Sequence, residues 1–187
     1  MLFDNGTYTL ATSALFQNCA KLDNIHLKNG TFSAAGSGKI LQGLGDIAVH
    51  LDNATTDIRF DGADKLTIVV YAGTTGIGTS RPDVLVFQNG FDFENWTDTR
   101  SSGDVAPPAP VIYLPTSVSS IPGRLFGSDS TAYHVYYQGS AASWSNVYVE
   151  ETGGWIFGSN SNYGRNLTIM HYESNCQYWD MYFFGGN

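Results

Sequence analysis

Apolar and polar positions alternate along this chain in short bursts. Six stretches read polar, apolar, variable, apolar: Asn24-Ile25-His26-Leu27, Asp46-Ile47-Ala48-Val49, Lys65-Leu66-Thr67-Ile68, Asp83-Val84-Leu85-Val86, Asn146-Val147-Tyr148-Val149 and Asn166-Leu167-Thr168-Ile169. The first four begin 22, 19 and 18 residues apart, and the last two 20 apart. Alternation with period two predicts strands with one buried face. Its recurrence at about 20 residues predicts strands stacked as successive coils of a solenoid. The residues expected to point inward are Ile25, Leu27, Ile47, Val49, Leu66, Ile68, Val84, Val86, Val147, Val149, Leu167 and Ile169. The polar residue leading each stretch predicts an outer ladder. Asp46, Lys65 and Asp83 alternate in sign along it, and Asn24, Asn146 and Asn166 stack their amides at a turn.

Two segments break the pattern. Residues 105–123 hold five of the six prolines, and proline cannot donate to a strand ladder, so this stretch is expected to leave the stack or distort it. Gly73 to Ser80 reads as a smaller loop of the same kind. The whole chain, 1–187, reads as a single domain that includes the excursion at 105–123. A β-sandwich is the alternative fold; it requires antiparallel hairpins, and two-residue hairpin turns are nearly lacking between the stretches.

Composition agrees with an all-β chain. Hydrophobic residues make up 42% and charged residues 14%, with 21 glycines, and the apolar positions are mostly β-branched or aromatic. The net charge of −8 opposes a nucleic-acid ligand and an anionic membrane surface. No apolar run is long enough for membrane insertion. The start, Met1-Leu2-Phe3-Asp4-Asn5-Gly6-Thr7, shows no signal peptide. Cys19 and Cys176 lie near opposite ends of the array and are read as buried small hydrophobes, with no disulfide between them. Asn-X-Thr patterns at Asn5, Asn29, Asn53, Asn95 and Asn166 are read as turn chemistry in preference to glycosylation.

Gly6-Thr7-Tyr8-Thr9-Leu10, followed by Lys21-Leu22-Asp23-Asn24-Ile25-His26-Leu27-Lys28-Asn29-Gly30-Thr31-Phe32, resembles the opening rungs of the pectate-lyase-like right-handed parallel β-helix. Glu173-Ser174-Asn175-Cys176 through Gly185-Gly186 resembles later rungs of the same superfamily. The resemblance implies a right-handed parallel β-helix of about nine rungs. It also implies activity on polysaccharides: members bind, cleave or remodel them. The bacteriophage tailspikes among them recognise host surface glycans, usually as trimers. A glycan partner, a homotrimer and a place outside the cell or on a virion surface follow as expectations.

Candidate chemistry is sparse. Gly36-Ser37-Gly38-Lys39-Ile40 lacks the early glycine and the hydroxyl after lysine of a phosphate loop. There is no paired-cysteine metal spacing and no Gly-X-Ser-X-Gly elbow. No cofactor is expected. Stacking the rungs brings Glu151, His171 and Glu173 together, a candidate catalytic cluster at the spacing of about 5 Å that a retaining pair needs. Glu150 and Asp180 are second choices, and solvated charges at turns are the competing reading. Asp92, Glu94 and Asp98, near Trp96, read as a calcium cluster or an exposed turn. His26, His50 and His134 fall on outward positions with no second ligand and are given no role.

Aromatic residues crowd the chain after Leu125. Sugars stack their C–H faces on Trp and Tyr rings, so Trp144, Tyr148, Trp155, Tyr163, Tyr178 and Trp179 form a candidate glycan-binding strip. A subunit interface is the competing reading. Three functions stay open: polysaccharide binding, polysaccharide cleavage by a glycosidase or lyase, and structural assembly in a virion or extracellular fibre.

Overall fold

The computed structural model describes residues 1–11, 15–16, 19–36, 38–78, 80–91, 93 and 111–115, together with the backbone of strands at 120–121, 133–137, 148–149 and 167–171. Ten strands follow one another: β1 (Leu2–Leu10), β2 (Asn24–Ala34), β3 (Asp46–Thr56), β4 (Lys65–Val70), β5 (Val84–Phe87), β6 (Val111–Leu114), β7 (Ser120–Ile121), β8 (Tyr133–Tyr137), β9 (Tyr148–Val149) and β10 (Leu167–His171). Eight form one sheet in the order β1-β2-β3-β4-β5-β6-β8-β10, and β7 pairs β9 in a second. Every pairing among the described strands is parallel, which overturns the β-sandwich alternative and its antiparallel hairpins.

Parallel neighbours are normally joined through a helix. Here the described residues of the connections between β2 and β5 form no α-helix, and they stack on one another as the strands do. Leu41 N–H donates to Asp61 C=O at 2.9 Å and Asp64 N–H to Leu44 C=O at 3.1 Å. The segment Gly73 to Ser80, expected as a loop off the stack, instead lies against residues 54–60. The Thr74 hydroxyl donates to Leu51 C=O at 2.8 Å, while the Ser80 hydroxyl donates to Ile58 C=O at 3.0 Å and accepts Phe60 N–H at 2.9 Å. Both hydroxyls are buried, so they substitute for the ladder bonds that the bend removes. Ser80→Ala strips the Phe60 and Ile58 groups of their partner; a loss of about 2 kcal/mol in denaturant unfolding is expected.

Strands and connections enclose one core. The inner face of the sheet contributes Ile25, Leu27, Val49, Leu51, Ile68, Leu85 and Ile112; the connections contribute Ile40, Leu41, Leu44, Ile58, Phe60, Ile77, Phe91 and Phe93. The inward set read from the sequence holds through β4. On β5 the phase is reversed: Leu85 and Phe87 are buried, whereas Val84 and Val86 are only half-buried. The register explains this, because Thr67 pairs Val84 and Ile68 pairs Leu85, one residue away from the alignment of Asp83 with Lys65. A one-residue slip exchanges the two faces. Asp83 is no member of a charge ladder; its carboxylate accepts Leu66 N–H at 2.7 Å. The side chains of Val147, Val149, Leu167 and Ile169 lie outside the described residues.

Asn5, Asn29 and Asn53 have positive φ of 52°, 49° and 47° and occupy one position on β1, β2 and β3. Asparagine tolerates this left-handed conformation better than other residues with a side chain. At each, the strand turns a corner and its in-out phase slips, so that on β3 Leu51 and Ala54 are both buried. The amides interlock: Asn53 Nδ2 donates to Asn29 Oδ1 and Asn29 Nδ2 to Asp4 Oδ1, both at 3.1 Å. The amide ladder among the described residues is here, and Asn24 has Ala48 as its neighbour in register; Asn146 and Asn166 lie outside the described residues. The turn reading of these three Asn-X-Thr patterns matches the structure. Of the alternating charges, Asp46 and Lys65 stand in register as expected; a second set, Asp4, Lys28 and Asp52, also stands in register, with Lys28 and Asp52 at 3.2 Å.

Two further expectations change. Within 105–123, Val111–Leu114 is a full member of the main sheet and Ser120–Ile121 begins the second, so the prolines bracket strands and do not abolish them. Cys19 is exposed, because it sits in a turn where its N–H donates to Phe16 C=O and its C=O accepts Leu22 N–H. Cys176 lies outside the described residues.

Candidate functional site

Most of the site residues read from the sequence, Glu151, Glu173, Trp144, Trp155, Tyr163, Tyr178 and Trp179, lie outside the described residues, as do Glu150, Asp180 and the cluster Asp92, Glu94 and Asp98. Two have a described backbone. Tyr148 on β9 pairs Ser120, and His171 on β10 pairs Tyr137, which pairs Leu114.

The described surface has its own organisation, set by strict register. Two neighbouring rows run across the outer face of the sheet. One is Asn24, Ala48, Thr67, Val84 and Val111; the other is Leu2, His26, His50, Val69, Val86 and Tyr113. Except for Val69 all are exposed or half-buried. No side chain in either row carries a carboxylate, an amine or a guanidinium, in a protein of net charge −8; the Met1 amine closes the β1 end of the first row on Asn24 C=O. At about 4.8 Å per strand they make an uncharged strip roughly 24 Å long from β1 to β6. In backbone register the rows continue through His134 and Tyr136 on β8 to Thr168 and Met170 on β10. The charges of Asp4, Lys28 and Asp52 lie along one border of the strip.

The β2–β4 end of the strip holds a polar cluster. His26 and His50, paired in register, stack their rings at 4.1 Å between centroids and 1° between planes. His50 Nε2 lies 3.2 Å from Asn24 Oδ1, and its Nδ1 lies 3.2 Å from the Tyr71 hydroxyl. An amide oxygen only accepts, so Nε2 carries the proton, and Nδ1 of the neutral ring accepts the Tyr71 O–H. Both ring nitrogens are thus engaged by the uncharged form. Burial, and after it the His26 ring, hold His50 below the ordinary imidazole value of 6.5.

His26 and His50 point outward, as the alternation predicts, and to this the structure adds their partnership. The signal was present: Asn24-Ile25-His26-Leu27 and Ala48-Val49-His50-Leu51 repeat at 24 residues, the same interval that separates Asn5, Asn29 and Asn53. Aligning Asn24 with Asp46 conceals it.

The chemistry available on this strip is that of contact and hydrogen bonding: imidazole, phenol, amide and hydroxyl groups beside methyl-bearing surface. Among the described residues no group of three His, Cys, Asp or Glu side chains is placed to hold a metal ion. No protein-family model, curated protein or solved structure matches this chain.

Proposed function

We propose that this chain is a right-handed parallel β-helix of the bacteriophage tailspike or tail-fibre type, and that it binds a neutral cell-surface polysaccharide along the outer face of its main sheet. The observation that carries the reading is the uncharged strip. A linear polymer of sugars presents hydroxyls and C–H faces at regular intervals, and two rows of small polar, apolar and ring-bearing side chains offer matching contacts along a line. The coil is supported by the parallel strands, by connections that stack on one another, and by the β7–β9 pair interleaved between strands of the main sheet. The negative net charge disfavours a polyanionic glycan unless a cation bridges the two.

Affinity electrophoresis through gels containing neutral or acidic polysaccharides tests this. Retardation by a neutral polymer, little changed by salt, is the expected result, with the chain length of the polymer intact. Release of reducing ends or of unsaturated products would instead mark the protein as a glycosidase or lyase.

The apolar part of the strip, Val69, Val84, Val86, Val111 and Tyr113, favours a second reading, an interface between copies in a trimeric fibre. A mass in solution of one chain, with glycan binding retained, excludes it.

A further inference from the structure

The His26–His50 stack invites a role independent of what the strip binds. It joins three successive strand levels: Asn24 and His26 are on β2, His50 is on β3, and Tyr71 directly follows β4. We infer that these four residues form an acid-labile latch, which ties β2, β3 and the turn after β4 together while His50 is neutral and loosens when His50 gains a proton.

Three features of the geometry lead there. Protonated His50 donates from both nitrogens, so the Tyr71 hydroxyl must turn from donor to acceptor. The new charge sits half-buried, where water solvates it poorly. It also faces the His26 ring at 4.1 Å, so a proton on each ring sets like charges face to face. The other charged groups on this outer face are Asp4 on β1, Lys28 on β2, Asp46 and Asp52 on β3 and Lys65 on β4, with Asp46 in register with Lys65. The Met1 amine donates to Asn24 C=O at 2.7 Å. Asp52, the carboxylate nearest along the strand, is engaged by Lys28 at 3.2 Å, which weakens it as a counter-charge for an imidazolium.

The sign of the effect follows from linkage. A histidine held below its free value binds fewer protons folded than unfolded, so its neutral form supports the fold fully above pH 6.5 and that support is lost as pH falls below it. The pH window is that of histidine, distinct from the more acidic range in which carboxylates titrate.

Amide hydrogen exchange of β2, β3 and residues 65–72, measured at about pH 7.5 and about pH 5.5 and corrected for intrinsic exchange, reads the latch directly. In the wild-type chain the local opening constant should rise roughly twofold or more on acidification. In His50→Gln the acid-dependent increment should vanish, and in His26→Gln it should shrink. A wild-type increment that persists unchanged in His50→Gln would overturn the latch. Should His50→Gln fail to fold, the imidazole titration of His50 by NMR in the wild-type chain decides: a midpoint below 6.5 that rises in His26→Gln supports the inference, and one at or above 6.5 refutes it.

Discussion

Gly78→Ala is expected to destabilise the protein by about 3 kcal/mol, out of proportion to the single methyl group added. Gly78 has a φ of +59°, which L-residues with a Cβ adopt at a cost, and a Cβ built there would lie 2.6 Å from the Ile58 carbonyl oxygen. That oxygen belongs to the backbone of the preceding coil and accepts the Ser80 hydroxyl, so it has little freedom to yield. Gly30→Ala, at ordinary φ, isolates the steric part: its Cβ would press against the Gly6 carbonyl oxygen of β1. Urea unfolding of both variants measures the effect. If the coils stack as described, both lose stability. Gly43→Ala provides the contrast, because Gly43 shares the positive φ, at +81°, with open space around the added carbon. It should cost only about 1 kcal/mol, the conformational part alone.

The second large effect is a contrast on one strand. Leu85→Ala removes a side chain with no exposed surface and should cost about 3 kcal/mol, the usual range for a leucine truncated in a core. Val84→Ala, one residue away and half-buried on the outer face, should cost less than about 1 kcal/mol. Thermal unfolding of the two variants reports which face of β5 meets the core. Equal losses, or the reverse order, would contradict the register of β5 against β4.

This contrast also shows where the sequence was legible and where it misled. Strands β2 to β4 could be read because their inward positions alternate cleanly and are filled by Ile, Leu and Val. On β5 the leading polar residue is not a register mark. Its position depends on where each strand emerges from its corner: Lys65 starts a strand, whereas Asp83 precedes one and caps Leu66 N–H. The corner is the better mark. A left-handed backbone conformation limits the residue to asparagine, aspartate or glycine, and Asn5, Asn29 and Asn53 record that limit at intervals of 24. Had those intervals set the alignment, His26 would have been placed beside His50, and the ladder of charge at Asp4, Lys28 and Asp52. Tyr71 was hidden for another reason: its bond to His50 crosses between rows, and no spacing along one strand encodes a diagonal contact. The uncharged strip is likewise a property of several strands at once, visible only when residues as far apart as Leu2 and Tyr113 are laid in one row.

Charge placed within that strip tests most directly whether it is the binding surface. Val84→Lys and Val86→Lys together set two ammonium groups on β5, one in each row, and a half-buried outward valine tolerates a lysine stem that carries its charge to solvent. The measurement is the dissociation constant for the neutral polysaccharide retained by the wild-type chain, determined calorimetrically alongside the melting temperature. If the glycan lies along the strip, the double variant melts within a few degrees of the wild type and its binding is weakened about tenfold or more. Unchanged affinity in a folded double variant would contradict that placement and put the glycan elsewhere on the molecule.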